Sequence, residues 1–240
     1  MLSFDRFEVY QKEGHANFVT QADMEVQAFL LDKLHKAVPE AAFFAEEKEN
    51  EALTDGLTFV IDPIDGTTNF MRRRRCSCIS VALLKNKQPI LGVIFNPYAN
   101  ELFDAEKGKG AFLNGKPIHV SSQGFENALV SIGTSPYDAE LAKKTMRTAE
   151  RFLLLAADLR RTGSAAIDLC DVACGRSDVF WEWKLSPWDF AAGALLVMEA
   201  GGMIGSPGKG TLSFGQRTPV LAANPLCYEK AEELLMASDG

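Results

Sequence analysis

The stretch IDPIDGTTNF, residues 61–70, places two aspartates three residues apart at the end of an apolar run. A carboxylate in such a position is costly unless a cation or hydrogen-bond donors compensate its charge. Pro63 blocks a helix here, so the side chains of Asp62 and Asp65 can converge in a tight turn, with the Ile64 carbonyl between them. Ligand sets made only of oxygen select hard cations, Mg²⁺ before zinc or copper. One interpretation of this stretch is therefore a Mg²⁺ site.

The same residues also have a purely structural interpretation. Asp62 and Asp65 would then form an Asx turn and a helix N-cap, which is the commoner explanation of a lone DxxD motif. Gly66 lets the backbone approach a ligand closely, and residues 67–69 (Thr-Thr-Asn) offer hydroxyl and N–H groups of the kind that bind phosphate oxygens at a helix start. The other carboxylates of the chain are needed to decide between the two.

Composition limits the classes of function. Of 240 residues, 47% are hydrophobic and 24% are charged, as in ordinary globular proteins. The net charge of −7 argues against a nucleic-acid partner and fits a site built from carboxylates. No signal peptide or membrane span is evident, so we expect a soluble, cytoplasmic protein with no membrane partner. The five cysteines lack disulfide-framework and zinc-site spacing and are expected to be reduced.

Strand and helix patterns intermix along the chain, which predicts a mixed α/β domain over residues 1–240 with a soft internal seam near residue 122. The expected helices are at 20–38, 138–157, 164–174, from 187 to the Gly201-Gly202 pair, and after 224. The expected strands are at 57–61, 78–84, 90–95, 128–134, 178–183 and 219–224, the second and third joined as a hairpin. Shorter strands punctuated by glycines are expected within residues 101–118.

Three further carboxylates stand out, and each has a simple structural explanation. Asp189 lies near the third position of a helix opened by Ser186-Pro187, where the helix dipole favours an acidic residue. Glu46 belongs to an acidic stretch that solvent could surround. Asp23 completes a capping box with Thr20. Together with residues 62–65, they nevertheless supply carboxylates from four distant parts of the chain.

Residues 62–70, and residues 188–193 with 199–202, resemble the two signatures of the inositol monophosphatase family, a lithium-sensitive, Mg²⁺-dependent set of phosphatases. The first signature is specific, and the two in this order are more so. Supporting matches span nearly the whole chain: Lys12, residues 19–23, Glu46, residues 108–115, residues 163–166, Glu182 and residues 222–224. The resemblance implies the layered α-β-α-β-α sandwich of the inositol monophosphatase and fructose-1,6-bisphosphatase type, usually as a homodimer.

The resemblance also implies a ligand set for two or three Mg²⁺ ions. Glu46, Asp62 and the Ile64 carbonyl correspond to ligands of a first ion. Asp62, Asp65 and Asp189 correspond to ligands of a second. Glu46 is further expected to reach a third, weaker ion. The two aspartates of the opening stretch would thus be neutralised by metal and by a substrate phosphate.

Catalytic and substrate-binding roles follow from the same resemblance. Thr67, with Asp23, corresponds to the hydroxyl that orients and deprotonates a metal-bound water, which attacks phosphorus in line while the second ion stabilises the leaving alkoxide. This is the two-metal scheme, with ions about 4 Å apart. Asp65 and the backbone N–H groups of Gly66 and Thr67 are expected at the phosphate. The expected contacts to the hydroxyl groups of a polyol are Gly163, Ser164, Ala165 and Glu182.

Two features depart from the family pattern. Eleven residues precede Lys12, and they hold too few apolar positions for the helix that family members carry there, so a truncated start is considered. Arg72–Arg75 stand where the family usually has a histidine-containing loop with a proline, although the segment length is unchanged. The chemistry is expected to survive both departures, whereas the substrate is left open.

Three functions are therefore compared. The leading one is a Mg²⁺-dependent phosphomonoesterase acting on a small polyol or sugar phosphate, such as inositol 1-phosphate. The second is a phosphatase for a sugar bisphosphate or a nucleotide 3′-phosphate, which the arginines favour. The third is a catalytically idle regulatory or RNA-binding relative. The complete set of ligand positions argues against the third.

Overall fold

A computed structural model describes residues 9–11 and 18–237. The helices are α1 (Gln21–Ala37), α2 (Thr67–Met71), α3 (Ala139–Leu153), α4 (Ala165–Ala173), α5 (Pro187–Glu199) and α6 (Tyr228–Met236). The strands are β1 (Val9–Gln11), β2 (Phe18–Thr20), β3 (Ala42–Ala45), β4 (Thr58–Asp65), β5 (Cys78–Lys85), β6 (Gln88–Asn96), β7 (Glu101–Glu106), β8 (Ala111–Leu113), β9 (Lys116–Ile118), β10 (Leu129–Ile132), β11 (Asp158–Arg160), β12 (Val179–Leu185), β13 (Met203–Gly205) and β14 (Thr218–Ala223).

The first large sheet contains seven strands in sequential order, β3 to β9. Its pairings are antiparallel except for the parallel pair of β3 and β4. Near the end of β4, the register against β5 shifts: Asp62 pairs with Ser80, but Asp65 pairs with Cys78. One extra residue is therefore accommodated beside Pro63, as in a β-bulge, and such bulges re-aim side chains next to functional sites.

The second large sheet has the strand order β11-β10-β12-β14-β13. Strand β10 runs parallel to both β11 and β12, whereas β14 is antiparallel to both of its neighbours. Strands β1 and β2 form a separate antiparallel pair. The two large sheets thus come from consecutive halves of the chain, and α5, which connects β12 to β13, packs against the seven-stranded sheet.

The layers follow from which helix faces are buried. Helix α1 covers one face of the seven-stranded sheet, α4 and α5 lie between the two large sheets, and α3 and α6 cover the outer face of the five-stranded sheet. Small residues allow the central layer to pack closely: a Cβ at Gly92 of β6 would lie 2.8 Å from the Ala192 carbonyl oxygen of α5. This arrangement confirms the α-β-α-β-α sandwich.

Most element positions agree with the sequence patterns, and the differences have local causes. The strand expected at 57–61 continues to Asp65, because the bulge keeps the residues after Pro63 in the sheet instead of a free turn. Phe29 has helical spacing with Val26 and Leu30 in the first predicted helix, a pattern that predicts burial, but its side chain is 61% exposed. Strands β1, β2, β3, β11 and β13 are too short to show a clear period and were not predicted.

Two expectations about the whole chain can also be compared with the structure. All five cysteines are free. Within the part of the chain that the structure describes, none of the helices combines the length and the apolar character needed to cross a bilayer. Lys12, which carried part of the resemblance, lies outside the described residues.

Candidate functional site

A cavity of about 630 Å³ opens where the end of β4, the end of β12 and the first turns of α2, α4 and α5 meet. Its lining contains every residue that the sequence placed in a metal or substrate site: Glu46, Asp62, Ile64, Asp65, Gly66, Thr67, Gly163, Ser164, Ala165, Glu182 and Asp189. Asp23 is buried behind this lining. Residues from both halves of the chain therefore share one cavity, and we call Glu46, Asp62, Asp65 and Asp189 the carboxylate cluster.

Asp65 is held in place by the second half of the chain. Its Oδ2 atom accepts hydrogen bonds from Ser164 Oγ at 2.6 Å and from the Ala166 N–H at 2.7 Å. Burial raises the pKa of Asp65, and the hydrogen bonds from Ser164 and Ala166 oppose that rise. The start of α4 thus fixes the orientation of this carboxylate, which neither the Asx-turn nor the N-cap interpretation requires.

Asp62 lies deeper and has fewer donors. It is 2% exposed, and its Oδ1 accepts from the Ile64 N–H at 3.0 Å, the local bond of an Asx turn. Burial raises the pKa of Asp62 well above its usual range, and the negative charges of Glu46 and Asp65 raise it further. The Asx-turn interpretation is therefore correct for Asp62, but it leaves a strongly disfavoured negative charge that a cation would compensate.

Thr67 connects the cavity to α1. Its hydroxyl lies 3.1 Å from the Ile64 carbonyl oxygen and 3.4 Å from Asp23 Oδ1. Asp23 is fully buried, and its Oδ2 accepts from both the backbone N–H and the hydroxyl of Thr20. The capping box expected at α1 is therefore present, and the same carboxylate faces the Thr67 hydroxyl with its other oxygen.

Asp189 has a similar local role at α5. Its Oδ2 accepts from the Ser186 N–H at 2.7 Å, as a helix-capping aspartate does. Burial raises the pKa of Asp189 well above its usual range, with further increases from Glu46 and Asp65. Ser186 Oγ accepts from Arg217 Nε at 3.0 Å, which steadies the entry to the helix.

Glu182 lies on the opposite wall, on β12. Its Oε1 accepts from the Ser135 N–H at 3.1 Å and from Ser135 Oγ at 3.3 Å. A Cβ at Gly133 would lie 1.8 Å from Glu182 Oε2, so only glycine fits there. Burial raises the pKa of Glu182 to about 7. The strand expected at 128–134 ends at Ile132, and the loop that follows wraps this carboxyl.

The carboxylate cluster has the donor chemistry for a hard divalent cation, because all of its ligand atoms are oxygens, and because the charges of Glu46 and Asp65 raise the pKa of both Asp62 and Asp189. Among the described residues, Asp62 Oδ2 and Asp189 Oδ1 make no hydrogen bond and remain available as ligands. No group of three or more Asp, Glu, His or Cys side chains in the described ranges already has the arrangement of a formed metal site.

The sequence patterns missed part of the cavity wall. Its other polar residues include Arg161, Arg217, Lys184, Tyr137, Ser135 and Asp168. Asp168 is 2% exposed, and its Oδ2 accepts from Thr162 Oγ1 at 2.8 Å, whereas Oδ1 has no partner among the described residues. Arg161 lies just before the predicted segment 163–166, so that segment could have indicated it. Nothing in the sequence around Tyr137 or Lys184 distinguishes them from surface residues.

Comparison with known proteins matches residues 2–238 to the model of the "Inositol monophosphatase family". The chain is 41% identical over 206 residues to inositol monophosphatase 2 of Solanum lycopersicum, covering 82% of this chain and 77% of that protein. It is 38% identical over 223 residues to Nus factor SuhB of Salmonella typhimurium, covering 92% of this chain and 83% of that protein.

Among solved structures, the extragenic suppressor protein suhB of Bartonella henselae superposes with a TM-score of 0.90 at 34% identity, over 97% of this chain and 89% of that one. The match of the family model over nearly the full length agrees with the sandwich architecture and with the cavity at the junction of its two sheets. The chain is a member of the inositol monophosphatase family and, like its relatives, a phosphoric monoester hydrolase.

Proposed function

We propose that this protein is a Mg²⁺-dependent phosphomonoesterase that hydrolyses a small polyol or sugar phosphate, such as inositol 1-phosphate. The observation that carries the proposal is the convergence of the carboxylate cluster on one cavity, beside a threonine hydroxyl that faces a buried aspartate. Relatives that match over most of the chain are named inositol monophosphatases, which supports the choice of substrate class.

Specific members of the cluster would hold the metal. Glu46, Asp62 and the Ile64 carbonyl would bind one Mg²⁺, and Asp62, Asp65 and Asp189 a second, with Glu46 also available to a third. Bound there, Mg²⁺ polarises the phosphoryl group and activates a water molecule. The Ile64 carbonyl now accepts from the Thr67 hydroxyl at 3.1 Å, so this hydroxyl and a metal ion would share the two lone pairs of that oxygen.

The chain's own groups would orient the reaction. Thr67 Oγ1 and Asp23 Oδ1, 3.4 Å apart, form a relay that can take up a proton from the attacking water. Gly66, with φ of +86°, lets the backbone N–H groups of Gly66 and Thr67 face a phosphate without a side chain in between. Glu182 and the segment Gly163–Ala165 line the cavity where a polyol hydroxyl would lie.

Phosphate release from a substrate panel tests this proposal. The panel contains inositol 1-phosphate, glycerol 2-phosphate, fructose 1,6-bisphosphate, histidinol phosphate and adenosine 3′,5′-bisphosphate. Turnover should require Mg²⁺, stop in excess chelator and return when Mg²⁺ is restored. Li⁺ should inhibit by competing at the second metal position. Full turnover in excess chelator would overturn the mechanism, and turnover of none of these esters would overturn the substrate class.

A regulatory role is a second candidate, because the 38% identical relative from Salmonella typhimurium is named a Nus factor. That relative leaves open the expectation, drawn from the net charge, that nucleic acid is not a partner. Salt-dependent binding of RNA by an Asp189→Asn variant that has lost phosphatase activity would separate this role from catalysis. The absence of RNA binding at physiological salt would exclude the RNA-binding form of this role.

Two further expectations are part of the proposal. We expect a homodimer, which light scattering coupled to size exclusion can measure, and a cytoplasmic location, which fits the free cysteines. A monomer at micromolar concentration would contradict the first expectation. The second would be contradicted if fractionation of its native cells recovered the tagged protein outside the cytoplasmic fraction.

A further inference from the structure

The segment Arg72–Arg75, which we call the arginine run, is a concentrated positive charge on a protein of net charge −7. All four side chains are exposed. Within the described part of the chain, the side chains of Arg72, Arg74 and Arg75 make no ion pair, although several exposed lysines do, such as Lys36 with Asp32. Adjacent cations repel one another, and these three guanidinium groups lack the ion-pair partner that such lysines have.

The backbone of the arginine run is nevertheless fixed. The Arg72 N–H donates to the Thr68 carbonyl at 3.1 Å, and the Arg74 N–H donates to the Asn69 carbonyl at 2.9 Å. Arg73 and Arg75 both have φ of +54°, a left-handed conformation that costs a residue with a Cβ about 1 kcal/mol. The loop thus holds its guanidinium groups outward in a defined, unfavourable conformation, as functional loops often do.

Asn69 connects the arginine run to the cavity. Its buried side chain donates to the Cys76 carbonyl at 2.7 Å and to the Thr162 carbonyl at 3.0 Å. A Cβ at Gly163 would lie 3.1 Å from Asn69 Nδ2 and 3.2 Å from Arg161 Nη1, so the Arg161 guanidinium lies beside the residue that anchors the run. Arg161 lines the cavity, and its guanidinium makes no hydrogen bond or ion pair with any described residue.

We propose that Arg161 and the arginine run form a subsite for a second phosphate on the substrate, whose first phosphate is held at the carboxylate cluster. The substrate class is therefore a bisphosphate of a small polyol or sugar, and this inference rests on the proposed function. Guanidinium binds phosphate through two parallel hydrogen bonds and stays charged at any working pH. A small substrate is favoured over a polymer because Arg161 faces the cavity that holds the reacting group.

The test compares two substrates that differ by one phosphate, inositol 1-phosphate and inositol 1,4-bisphosphate. The run variant carries Arg72→Gln, Arg73→Asn, Arg74→Gln and Arg75→Asn, because asparagine tolerates the left-handed conformation at positions 73 and 75. We expect the parent KM for the monophosphate to exceed that for the bisphosphate at least tenfold. The run variant, and separately Arg161→Gln, should reduce that ratio to below threefold. High salt should reduce it in the parent as well.

A matched control removes the same number of positive charges elsewhere. Lys33→Gln, Lys107→Gln, Lys116→Gln and Arg147→Gln change exposed residues outside the cavity lining. This control should keep the parent KM ratio, since it alters the net charge equally but leaves the subsite intact. The proposal is overturned if the parent shows no preference for the bisphosphate, or if the control lowers the KM ratio as much as the run variant does.

A binding measurement keeps the inference separate from the proposed function. Calorimetric titration is carried out with Ca²⁺ in place of Mg²⁺. The parent should bind the bisphosphate at least tenfold more tightly than the monophosphate, whereas the run variant should bind the two ligands with equal affinity. This result would support the subsite even if turnover failed, whereas equal affinities in the parent would overturn it. Binding of a single-stranded RNA oligonucleotide that the run variant loses, with an unchanged KM ratio, would also overturn it and assign the run to RNA.

Discussion

Helices α1 and α5 both begin with a capping box, but the second carboxylate oxygen of the capping aspartate has different surroundings in the two helices. In α1, Asp23 Oδ2 accepts twice from Thr20, and its Oδ1 faces the Thr67 hydroxyl. In α5, Asp189 Oδ2 accepts from the Ser186 N–H, while its Oδ1 has no hydrogen bond among the described residues and the side chain lines the cavity. A capping role is thus compatible with the two different roles that we propose, a relay partner for Asp23 and a metal ligand for Asp189.

The largest expected effect comes from neutralising the ligand without disturbing the cap. Asp189→Asn should lower kcat/KM at least 100-fold, about 3 kcal/mol of transition-state stabilisation, because asparagine caps a helix about as well as aspartate but loses the charge. Asp65→Asn should have a similar effect. Steady-state kinetics with saturating Mg²⁺ measures the effect of both variants. Full activity of Asp189→Asn would mean that Asp189 only caps the helix.

Asp178 provides the matched control for those two variants. It is also a buried aspartate with several donors, including the Leu129 N–H at 2.7 Å and Asn224 Nδ2 at 3.3 Å, but it is not part of the cavity lining. Asp178→Asn should lower the melting temperature while the folded fraction keeps its kcat/KM. Equal losses of activity at positions 178 and 189 would mean that folding, not metal binding, explains both.

The rise in melting temperature on adding Mg²⁺ should distinguish the two capping aspartates, Asp23 and Asp189. At about 100 times its dissociation constant, a ligand adds about 2.7 kcal/mol to the free energy of unfolding, which is about 5–10 °C in melting temperature for a chain of this size. Thermal melts should show that shift in the parent and in Asp23→Asn but not in Asp189→Asn. A full shift in Asp189→Asn would remove this carboxylate from the ligand set.

A smaller loss of activity is expected when Thr67, the hydroxyl that faces Asp23, is changed. Thr67→Ala removes the hydroxyl between Ile64 and Asp23, and kcat should fall about tenfold to 100-fold because proton uptake loses its positioned acceptor. KM should change less than twofold, since backbone groups and metal would hold the phosphate. Thr67→Ser should recover most of the activity. A rise in KM with unchanged kcat would instead place this hydroxyl in substrate binding.

Glu182 gives the smallest effect and tests the opposite wall of the cavity. Its pKa of about 7 in the folded protein exceeds the ordinary value of 4.5, mainly through burial. A raised carboxyl pKa stabilises the fold fully below about pH 4.5, and this contribution is lost as the pH rises through 7. Glu182→Gln stays neutral, so its free energy of unfolding relative to the parent should increase by about 1–2 kcal/mol from pH 5 to pH 8 in chelator.

Chemical denaturation at several pH values measures that difference. The expected free-energy difference is kept small because part of the Glu182 side chain is exposed and water screens its charge. A difference that does not vary with pH would mean that Glu182 ionises normally in the folded protein. Asp104→Asn, at another half-buried carboxyl whose pKa burial also raises, serves as a comparison away from the cavity.

The site residues that could be predicted from sequence are those whose conformation depends on their immediate neighbours in the chain. Pro63 between two aspartates and Ser186-Pro187 before Asp189 each combine a backbone constraint with a carboxylate, so their conformations follow from neighbours in the chain. The layered fold followed from the resemblance that these motifs carry. Lys184 could not be recognised in this way, because a lysine facing a cavity has the same local sequence as one facing solvent.

The remaining differences arise from long-range contacts. Gly133 must be glycine only because Glu182, on a neighbouring strand, occupies the space of its Cβ. Strand β11 forms by pairing with β10, and its three residues have no period of their own. Phe29 is largely exposed, whereas Leu30 and Leu34 of the same helix pack against buried residues of the sheet. Contacts between distant parts of the chain decide each of these cases, and the periodicity of the sequence contains no information about such contacts.

The hydrogen bonds that fix Asp65 have a consequence for how the protein folds. Its donors, Ser164 and Ala166, lie 99 and 101 residues later in the chain and belong to the second large sheet's half of the structure. Closing a loop of that length costs about 4 kcal/mol of chain entropy, and contacts so distant in sequence form slowly. During refolding from denaturant, helical signal should therefore return before enzymatic activity, and the delay between them measures the docking of the two halves.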